Sequence, residues 1–266
     1  MEEANELLTE RRDRIGVLIL NRPERRNALS PKLLFALHEA LEAWAAEDEI
    51  RSVVIRGAGE KAFSSGYDIL AIPTGVTPEA ASRLRDRNPF QLALESVKQF
   101  PYPTIAMLNG HCFGGAVNLA LCCDLRIGAD DIAMGMPPAR LGVVYPHEGI
   151  AQLAAVVGMA RAREILFTAR SYRGAELRET GLVGRLVDRS ELEAATYELA
   201  EEIAGHAPLA LKGIKRILNL TEGSAPLSQD ARREAEGLFA AAMQSEDAKE
   251  AQKAFLEKRK PSFVGR

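Results

Sequence analysis

The chain has 266 residues, of which 47% are hydrophobic and 27% are charged, so it is long enough and apolar enough to bury a core. This composition excludes an intrinsically disordered chain, a collagen-like chain and a coiled-coil rod. The 34 Lys and Arg residues nearly balance the 37 Asp and Glu residues, and the formal charge of −3 disfavours a main role in binding nucleic acid or anionic lipid.

The N-terminus and the cysteines predict a soluble, cytoplasmic protein. Residues 1–6 are acidic, whereas a secretory presequence would be basic, and the apolar runs are too short to span a bilayer. Cys112, Cys122 and Cys123 include an adjacent pair and lack the C-x-x-C spacing of a zinc site. We therefore expect reduced, buried thiols, no disulfide framework and no metal site.

The first part of the chain predicts strands that alternate with helices. The aliphatic run 15–20 predicts a strand, and Ser30-Pro31 has the residue types of a helix N-cap and first turn, so a helix is expected through Trp44. A β-branched strand is predicted at 51–56. The turn-rich stretch from there to residue 88 predicts a surface excursion near the functional site.

The remaining elements predict an α/β core followed by a helical region. A strand at 104–108 leads through a glycine-rich turn at 109–115 into a helix that ends near Cys123, and a further strand follows. From Gly149 onward the pattern is mostly helical. We therefore divide the chain into an α/β core with the functional site, residues 1–205, and a C-terminal helical oligomerisation region, residues 206–266.

Residues 57–62, Gly-Ala-Gly-Glu-Lys-Ala, satisfy the dinucleotide-binding pattern G-x-G-x-x-G/A directly after a predicted strand. That fingerprint requires a helix to begin among the glycines, with its N-terminus facing a pyrophosphate. The next residues, 63–67, are instead turn-forming. We therefore reject a dinucleotide site here.

Two turns of small residues are more informative. The first covers residues 62–69 and the second covers residues 109–118; each follows a strand, and the second leads directly into a helix. Such turns allow backbone N–H groups to point at one oxygen without obstruction by side chains. Two converging N–H donors form an oxyanion hole, and the alternative is that both segments are only tight packing turns.

These two turns, in this order and separation, resemble the crotonase (enoyl-CoA hydratase/isomerase) superfamily. Residues 22–29, Arg-Pro-Glu-Arg-Arg-Asn-Ala-Leu, are similar to its N-terminal motif, and residues 164–169 and the tail at 255–261 also match. Within the superfamily, residues 63–66, residues 142–145 and the tail are most similar to the methylmalonyl-CoA decarboxylases. The resemblance covers essentially the full length of the chain.

The resemblance implies an α/β fold, a crotonase-like spiral of repeated ββα units with a C-terminal helical trimerisation region. It implies an acyl-CoA lyase that acts on a coenzyme A thioester, with no cofactor beyond the coenzyme A moiety of the substrate, and a homotrimer or a hexamer that is a dimer of trimers. By position, the N–H groups of Tyr67 and Gly115 would hold the thioester oxygen. The residues implied to contact the coenzyme or to line the pocket are Arg26, Ala28, Ser65, Gly66, Asp68, Ile69, Met136, Pro138 and Lys258.

The chain departs from the hydratases of the family at both catalytic glutamates. Asn118 and Pro138 occupy these two positions, and neither side chain accepts a proton at neutral pH. Addition of water and glutamate-dependent isomerisation are therefore disfavoured. Decarboxylation needs no base, because the loss of CO₂ itself generates the enolate.

Tyr145 matches the active-site tyrosine of the decarboxylases, and its phenol would orient a carboxylate or donate a hydrogen bond without ionising. The decarboxylases carry His where this chain has Tyr67 and Glu where it has Asn118. His147 and Glu148 would supply a replacement acid and base. The sequence thus predicts decarboxylation of a methylmalonyl-CoA-like substrate; the alternatives are a noncanonical enoyl-CoA hydratase or isomerase that uses His147 and Glu148, and a noncatalytic acyl-CoA-binding or RNA-binding family member.

Overall fold

The structure, a computed structural model, describes residues 5–68, 88–206, 208–221 and 244–259 and the single positions 233, 240 and 261. Most of the predicted surface excursion lies outside the described residues. The strands are β1 (Leu7–Arg12), β2 (Ile15–Leu20), β3 (Ser52–Gly57), β4 (Ala62–Ser64), β5 (Thr104–Leu108), β6 (His111–Phe113), β7 (Leu125–Ala129), β8 (Ala133–Gly135), β9 (Tyr172–Arg173) and β10 (Arg185–Val187). The α-helices are α1 (Pro31–Glu47), α2 (Pro89–Gln99), α3 (Gly115–Cys122), α4 (His147–Val157), α5 (Met159–Thr168), α6 (Ala175–Glu179), α7 (Leu192–Ala204), α8 (Pro208–Thr221) and α9 (Glu246–Leu256).

The strands form two sheets. The larger sheet has the order β1-β2-β3-β5-β7-β10 and is parallel except for β1, and the smaller has the order β4-β6-β8-β9 and is parallel except for β9. Strands β3, β5 and β7 of the larger sheet are each followed in the chain by a strand of the smaller sheet. A helix follows each of these strand pairs, so the predicted α/β architecture of repeated ββα units is confirmed.

The core lies between the larger sheet and the helices that pack on it. Val53, Val54 and Ile55 of β3 are all fully buried, as expected for a parallel strand that is covered on both faces. Helix α1 buries a stripe at helical spacing, which consists of Leu33, Leu34, Leu37, Leu41 and Trp44. The three cysteines are also buried, as predicted.

Helix α1 begins where the sequence predicts. The Ser30 Oγ accepts a hydrogen bond from the N–H of Leu33 at 3.1 Å, and Pro31 occupies the first helical position. This cap satisfies one of the N–H groups that have no partner within the helix.

The buried side chain of Asn109 holds the turn between β3 of the larger sheet and β4 of the smaller sheet. Asn109 accepts from the N–H of Gly57 at 2.9 Å and donates to the carbonyls of Gly57 at 2.9 Å and Gly59 at 2.6 Å. A Cβ on Gly57 would lie 2.3 Å from the carbonyl oxygen of Ala62, so only glycine fits there. The glycines of the rejected dinucleotide pattern therefore form a packing turn that leads into strand β4.

Arg189 joins the turns of three successive ββα units. Its guanidinium donates to the carbonyl of Glu60 at 3.4 Å, to the carbonyl of Asn109 at 2.7 Å and to both carboxylate oxygens of Asp131 at 2.8 and 2.6 Å. These residues lie in the β3–β4, β5–β6 and β7–β8 turns. The hydrogen bonds from Arg189 lower the pKa of Asp131 below its usual value.

Helices α4 to α9 confirm the mostly helical pattern predicted from Gly149 onward, and the short strands β9 and β10 lie between them. Strand β6 lies within the segment 109–115, which was predicted as a turn. These strands have only two or three residues and are defined by their pairing with β8 and β7. Such short elements carry no periodicity that a sequence pattern can report.

The buried ammonium group of Lys215 anchors helix α8 to the core. Lys215 is 5% exposed and donates to the carbonyl of Tyr102 at 3.0 Å and to a carboxylate oxygen of Asp124 at 2.7 Å. The division of the chain at residue 205 stays a prediction. Among the described helices, none is both long and apolar enough to cross a membrane.

Candidate active site

The carboxyl ends of three neighbouring strands meet at one edge of the smaller sheet. Strands β4, β6 and β8 run parallel and pair in that order. The loops that follow them are therefore brought together, as at the ligand-binding edge of other parallel sheets. These loops contain residues 65–68, Gly114-Gly115 and residues 136–138, which are the segments that the sequence predicts for the site.

The first of these loops pairs with the segment that precedes helix α1. The N–H of Ser65 donates to the carbonyl of Arg26 at 2.9 Å, and the N–H of Leu29 donates to the carbonyl of Gly66 at 2.8 Å. The N–H of Asp68 in turn donates to the carbonyl of Leu29 at 3.0 Å. The structure thus brings together the two segments that were predicted to contact the coenzyme.

The Arg22 side chain links these two segments by hydrogen bonds. Its guanidinium donates to the carbonyl of Ala28 at 2.7 Å and to a carboxylate oxygen of Asp68 at 3.1 Å. Arg26 and Ser65 are exposed beside it, whereas Ala28 is buried.

Two further residues were predicted to contact the coenzyme, Lys258 and Ile69. Lys258 is exposed just after α9, and that helix packs near the turn formed by Pro138–Leu141. Ile69 lies outside the described residues.

The backbone geometry of the two turns explains why glycine occupies positions 66, 114 and 115. Gly66 has a φ of +98°, and a Cβ on it would lie 2.6 Å from the carbonyl oxygen of Phe113. Gly114 has a φ of +55°, which side-chain-bearing residues rarely adopt. A Cβ on Gly115 would lie 3.0 Å from the ring of Phe90.

The backbone N–H groups of Tyr67 and Gly115 lie close to each other. A Cβ on Gly115 would be 3.2 Å from the nitrogen of Tyr67, and a Cβ on Gly66 would be 3.1 Å from the nitrogen of Gly115. Among hydrogen bonds between described residues, neither N–H has an acceptor. Gly115 is also the first residue of α3, where the helix dipole favours negative charge. This arrangement can stabilise a developing oxyanion, and its catalytic role stays a prediction.

Apolar side chains lie on the segments that carry or neighbour these N–H groups. The ring of Tyr67 packs edge-on against Phe90 with centroids 5.8 Å apart, and Met136 and Pro138 are buried after strand β8. Burial, and then the nearby Asp68, raise the pKa of Tyr67 above its usual value. The phenol of Tyr67 therefore stays neutral at physiological pH.

Asn118 lies three residues after Gly115, on the same face of α3, and its side chain is fully buried. Its Nδ2 donates to the carbonyl of Gly149 at 3.0 Å and to Oε1 of Gln152 at 2.8 Å. Its Oδ1 is buried and has no hydrogen-bond partner among the described residues. Gln152 also donates through Nε2 to Sγ of Cys122 at 2.7 Å. Gln152 carries no signal in the sequence, because it lies in an ordinary amphipathic helix and its contacts cross between helices.

Tyr145 has a buried hydroxyl with no hydrogen-bond partner in the part of the chain that the structure describes, although other parts of the residue are accessible. Its ring packs against the backbone of Gly149, where a Cβ would lie 2.4 Å from Cε1 of the tyrosine. Burial, with a smaller effect of Cys122, raises the pKa of Tyr145 far above its usual value. Tyr145 therefore offers a neutral O–H donor near Asn118, whose Nδ2 would lie 3.2 Å from the same Cβ.

His147 and Glu148 form the first turn of α4. Nδ1 of His147 lies 3.1 Å from a carboxylate oxygen of Glu148, and the Glu148 side chain is 52% exposed. It is the next residue, Gly149, that contacts Asn118 and Tyr145. Among the described residues, no cluster of three or more His, Cys, Asp or Glu side chains is arranged to hold a metal ion.

A sequence profile described as enoyl-CoA hydratase/isomerase matches residues 10–266. The carnitinyl-CoA dehydratase of Salmonella typhi is 34% identical over 253 residues, which is 94% of each chain. Methylmalonyl-CoA decarboxylase in complex with 2-nitronate-propionyl-CoA has a TM-score of 0.90 and 32% identity over 98% of this chain and 99% of that chain. An enoyl-CoA hydratase/carnithine racemase from Magnetospirillum magneticum has a TM-score of 0.79 and 33% identity over 99% of this chain and 97% of that chain.

Proposed function

This chain belongs to the enoyl-CoA hydratase/isomerase family and is an acyl-CoA-processing enzyme, and from that premise we propose that it decarboxylates a malonyl-type thioester such as methylmalonyl-CoA. One observation carries the proposal. The two positions of the family's catalytic glutamates hold Asn118 and Pro138, which accept no proton, whereas the N–H groups of Tyr67 and Gly115 lie close together, where they would stabilise an enolate.

The proposed reaction begins with the thioester oxygen bound to the N–H groups of Tyr67 and Gly115. The bond between C2 and the carboxylate carbon lies out of the thioester plane and breaks, CO₂ leaves, and the electron pair moves onto the thioester oxygen. Protonation of C2 then completes the reaction. An N–H donor of this kind contributes about 3 kcal/mol to the stabilisation of the transition state.

Tyr145 and the apolar side chains fit the same reaction. Burial keeps the Tyr145 phenol protonated, so it can donate a hydrogen bond to the substrate carboxylate. Because Met136 and Pro138 provide no polar contacts there, the leaving carboxylate is not stabilised as strongly as it is in water. The structural similarity to methylmalonyl-CoA decarboxylase supports this choice of substrate class.

The second candidate is a noncanonical hydratase or isomerase that uses Glu148 and His147. The similarity to a carnitinyl-CoA dehydratase favours it, but Glu148 is half exposed and pairs with its own neighbour His147. Replacing Glu148 with Gln separates the two functions. Decarboxylation should survive this change, and addition of water through Glu148 should not.

We further propose that the coenzyme lies along the segments that contain Arg26, Ala28 and Ser65, and that the substrate brings the only coenzyme A moiety that the reaction needs. The proposal includes a homotrimer, or a dimer of trimers, built through the C-terminal helices. An RNA-binding role is disfavoured by the formal charge of −3. A gel shift at low salt tests that role, because retardation of RNA would support it.

A paired assay tests the proposed function. Purified protein is given methylmalonyl-CoA, with CO₂ release measured, and crotonyl-CoA, with loss of the enoyl absorbance measured. Release of CO₂ alone would support decarboxylation. Loss of the enoyl absorbance alone would overturn it in favour of the hydratase, and silence with both substrates would overturn the substrate class.

A further inference from the structure

The amide of Asn118 has a fixed orientation. Both hydrogens of its Nδ2 are used, one by the carbonyl of Gly149 and one by Oε1 of Gln152. The Gly149 carbonyl belongs to the backbone of α4 and cannot become a donor. If the amide were reversed, Oδ1 would face two acceptors. The atom that has no partner within the described ranges is therefore Oδ1.

Gln152 provides the second of these two contacts and is itself held in place. It lies one helical turn after Gly149 on α4, so one face of this helix supplies both acceptors. Its own Nε2 donates to Sγ of Cys122 at 2.7 Å, which leaves Oε1 directed at Asn118. Without Gln152, a buried N–H of Asn118 would have no acceptor, and the amide could rotate away from its present position.

The buried Oδ1 of Asn118 requires a hydrogen-bond donor when the site is closed by substrate. A substrate carboxylate has no hydrogen to donate, whereas a water molecule has two. The enolate of the proposed reaction needs one proton at C2. An amide cannot give up this proton, and if Tyr145 gave it up, a buried phenolate would remain.

We propose that Gln152 is a positioning residue that directs the carbonyl oxygen of Asn118 toward the acyl group, where it orients the water molecule that protonates the enolate. One O–H bond of this water breaks and a C2–H bond forms, and the hydroxide combines with the released CO₂ to give bicarbonate. In total, the malonyl-type thioester and water become the decarboxylated thioester and bicarbonate. This inference rests on the proposed decarboxylation.

Three variants of the full-length protein test the inference. Gln152→Met keeps the size of the side chain but provides no acceptor for Asn118, whereas Gln152→Glu retains an acceptor oxygen. Gln99→Met makes the same change at an exposed position at the end of α2. If Gln152→Met does not fold, as judged by circular dichroism and thermal unfolding, Gln152→Leu replaces it.

The measurements are kcat and KM for CO₂ release in H₂O and in D₂O. For Gln152→Met we expect kcat to fall by about 30-fold with little change in KM, because protonation becomes rate-limiting, and the H₂O/D₂O ratio of kcat should rise. Gln152→Glu should stay within about threefold of the wild type, and Gln99→Met should match it.

Several outcomes would overturn the inference. Equal losses in Gln152→Met and Gln152→Glu, or a loss with an unchanged H₂O/D₂O ratio, would show that Gln152 only supports the packing. Normal kinetics of Gln152→Met would overturn this inference but would not affect the proposed decarboxylation. If the wild-type protein releases no CO₂ from the malonyl-type thioester, the proposed function fails and the inference falls with it.

Discussion

Gly66 is the single residue whose replacement should damage the site most directly. In Gly66→Ala, the new Cβ would meet the carbonyl oxygen of Phe113 at 2.6 Å, so the loop that carries the N–H of Tyr67 must move. We expect kcat/KM to fall by about 100-fold or more, the loss typical when an oxyanion donor is removed.

Gly174→Ala is the control for backbone strain alone. Gly174 also has a positive φ, of +51°, but no atom of the described residues lies within 4 Å of a Cβ built on it. It should lose about 1 kcal/mol of unfolding free energy and keep its activity. Equal activities of the two variants would contradict the importance of the Gly66 loop.

Tyr145→Phe should lower the activity without lowering the stability. The hydroxyl of Tyr145 is buried and no described residue bonds to it, so its removal should leave the unfolding free energy unchanged or raise it by about 1 kcal/mol. CO₂ release should fall by about tenfold while thioester binding is retained. Urea denaturation and steady-state kinetics on the same preparation check both parts. A less stable variant with a normal rate would show that the hydroxyl has a structural role only.

At the residue scale, the sequence predicts the backbone of the site better than its side chains. The small residues around Gly66 and Gly115 are a local signal, because backbone at positive φ or in close approach needs glycine. Gln152 and Phe90 have no such signal. Their importance arises from contacts with Asn118 and Gly115 on another helix, which depend on how the helices pack.

At the scale of elements, the ion pair of Arg189 and Asp131 should contribute stability that depends on pH. The pKa of Asp131 is lowered in the folded protein, so the contribution is present above the unfolded-state pKa and is lost as the pH falls through the folded-state pKa. The side chains of Arg189 and Asp131 are 36% and 55% exposed, and we therefore expect a coupling free energy of only about 0.5 kcal/mol at pH 7.

A double-mutant cycle with Arg189→Gln and Asp131→Asn measures this coupling. Urea denaturation at pH 7 should give the full coupling, and a series toward about pH 3 should show it decline. A coupling that is independent of pH would mean that the carboxylate charge is not involved.

The longer helices and strands are predictable from the sequence, whereas the short strands that form the smaller sheet are not. The cap at Ser30 and the aliphatic runs of β2 and β5 are local features, and the structure places a helix and two strands there. Strands β4, β6 and β8 have three residues each and exist because their neighbours pair with them. The order of the strands in the two sheets therefore has to come from the structure.

At the scale of the whole molecule, α8 directs polar side chains at its neighbours and leaves apolar side chains exposed. Lys215 donates to the carbonyl of Tyr102 and Asn219 donates to the carbonyl of Lys98, whereas Ile214, Ile217 and Leu218 are largely exposed. An apolar face of this kind is typical of a surface that another chain covers. We expect the wild-type protein to sediment as a trimer, or a multiple of a trimer, of the 29.0 kDa chain.

Replacing Ile214 and Ile217 with Asp should dissociate this assembly. Analytical ultracentrifugation should then give the mass of a single chain, with the helical circular dichroism retained, because a charge cannot be buried at an apolar interface without a partner. Leu8→Asp, at an exposed apolar position on β1, is the control and should not change the mass. If the wild-type protein is a monomer, the proposed assembly is wrong.

The contacts of Arg189 also constrain the order in which the chain can acquire its structure during synthesis. This side chain bonds to residues that precede it by 129, 80 and 58 positions, so the three turns cannot be joined until most of the protein has left the ribosome. Contacts this distant in sequence form slowly, and the parallel strands emerge before the residue that holds their turns together. We therefore expect the three turns to stay without this common anchor until residue 189 has left the ribosome.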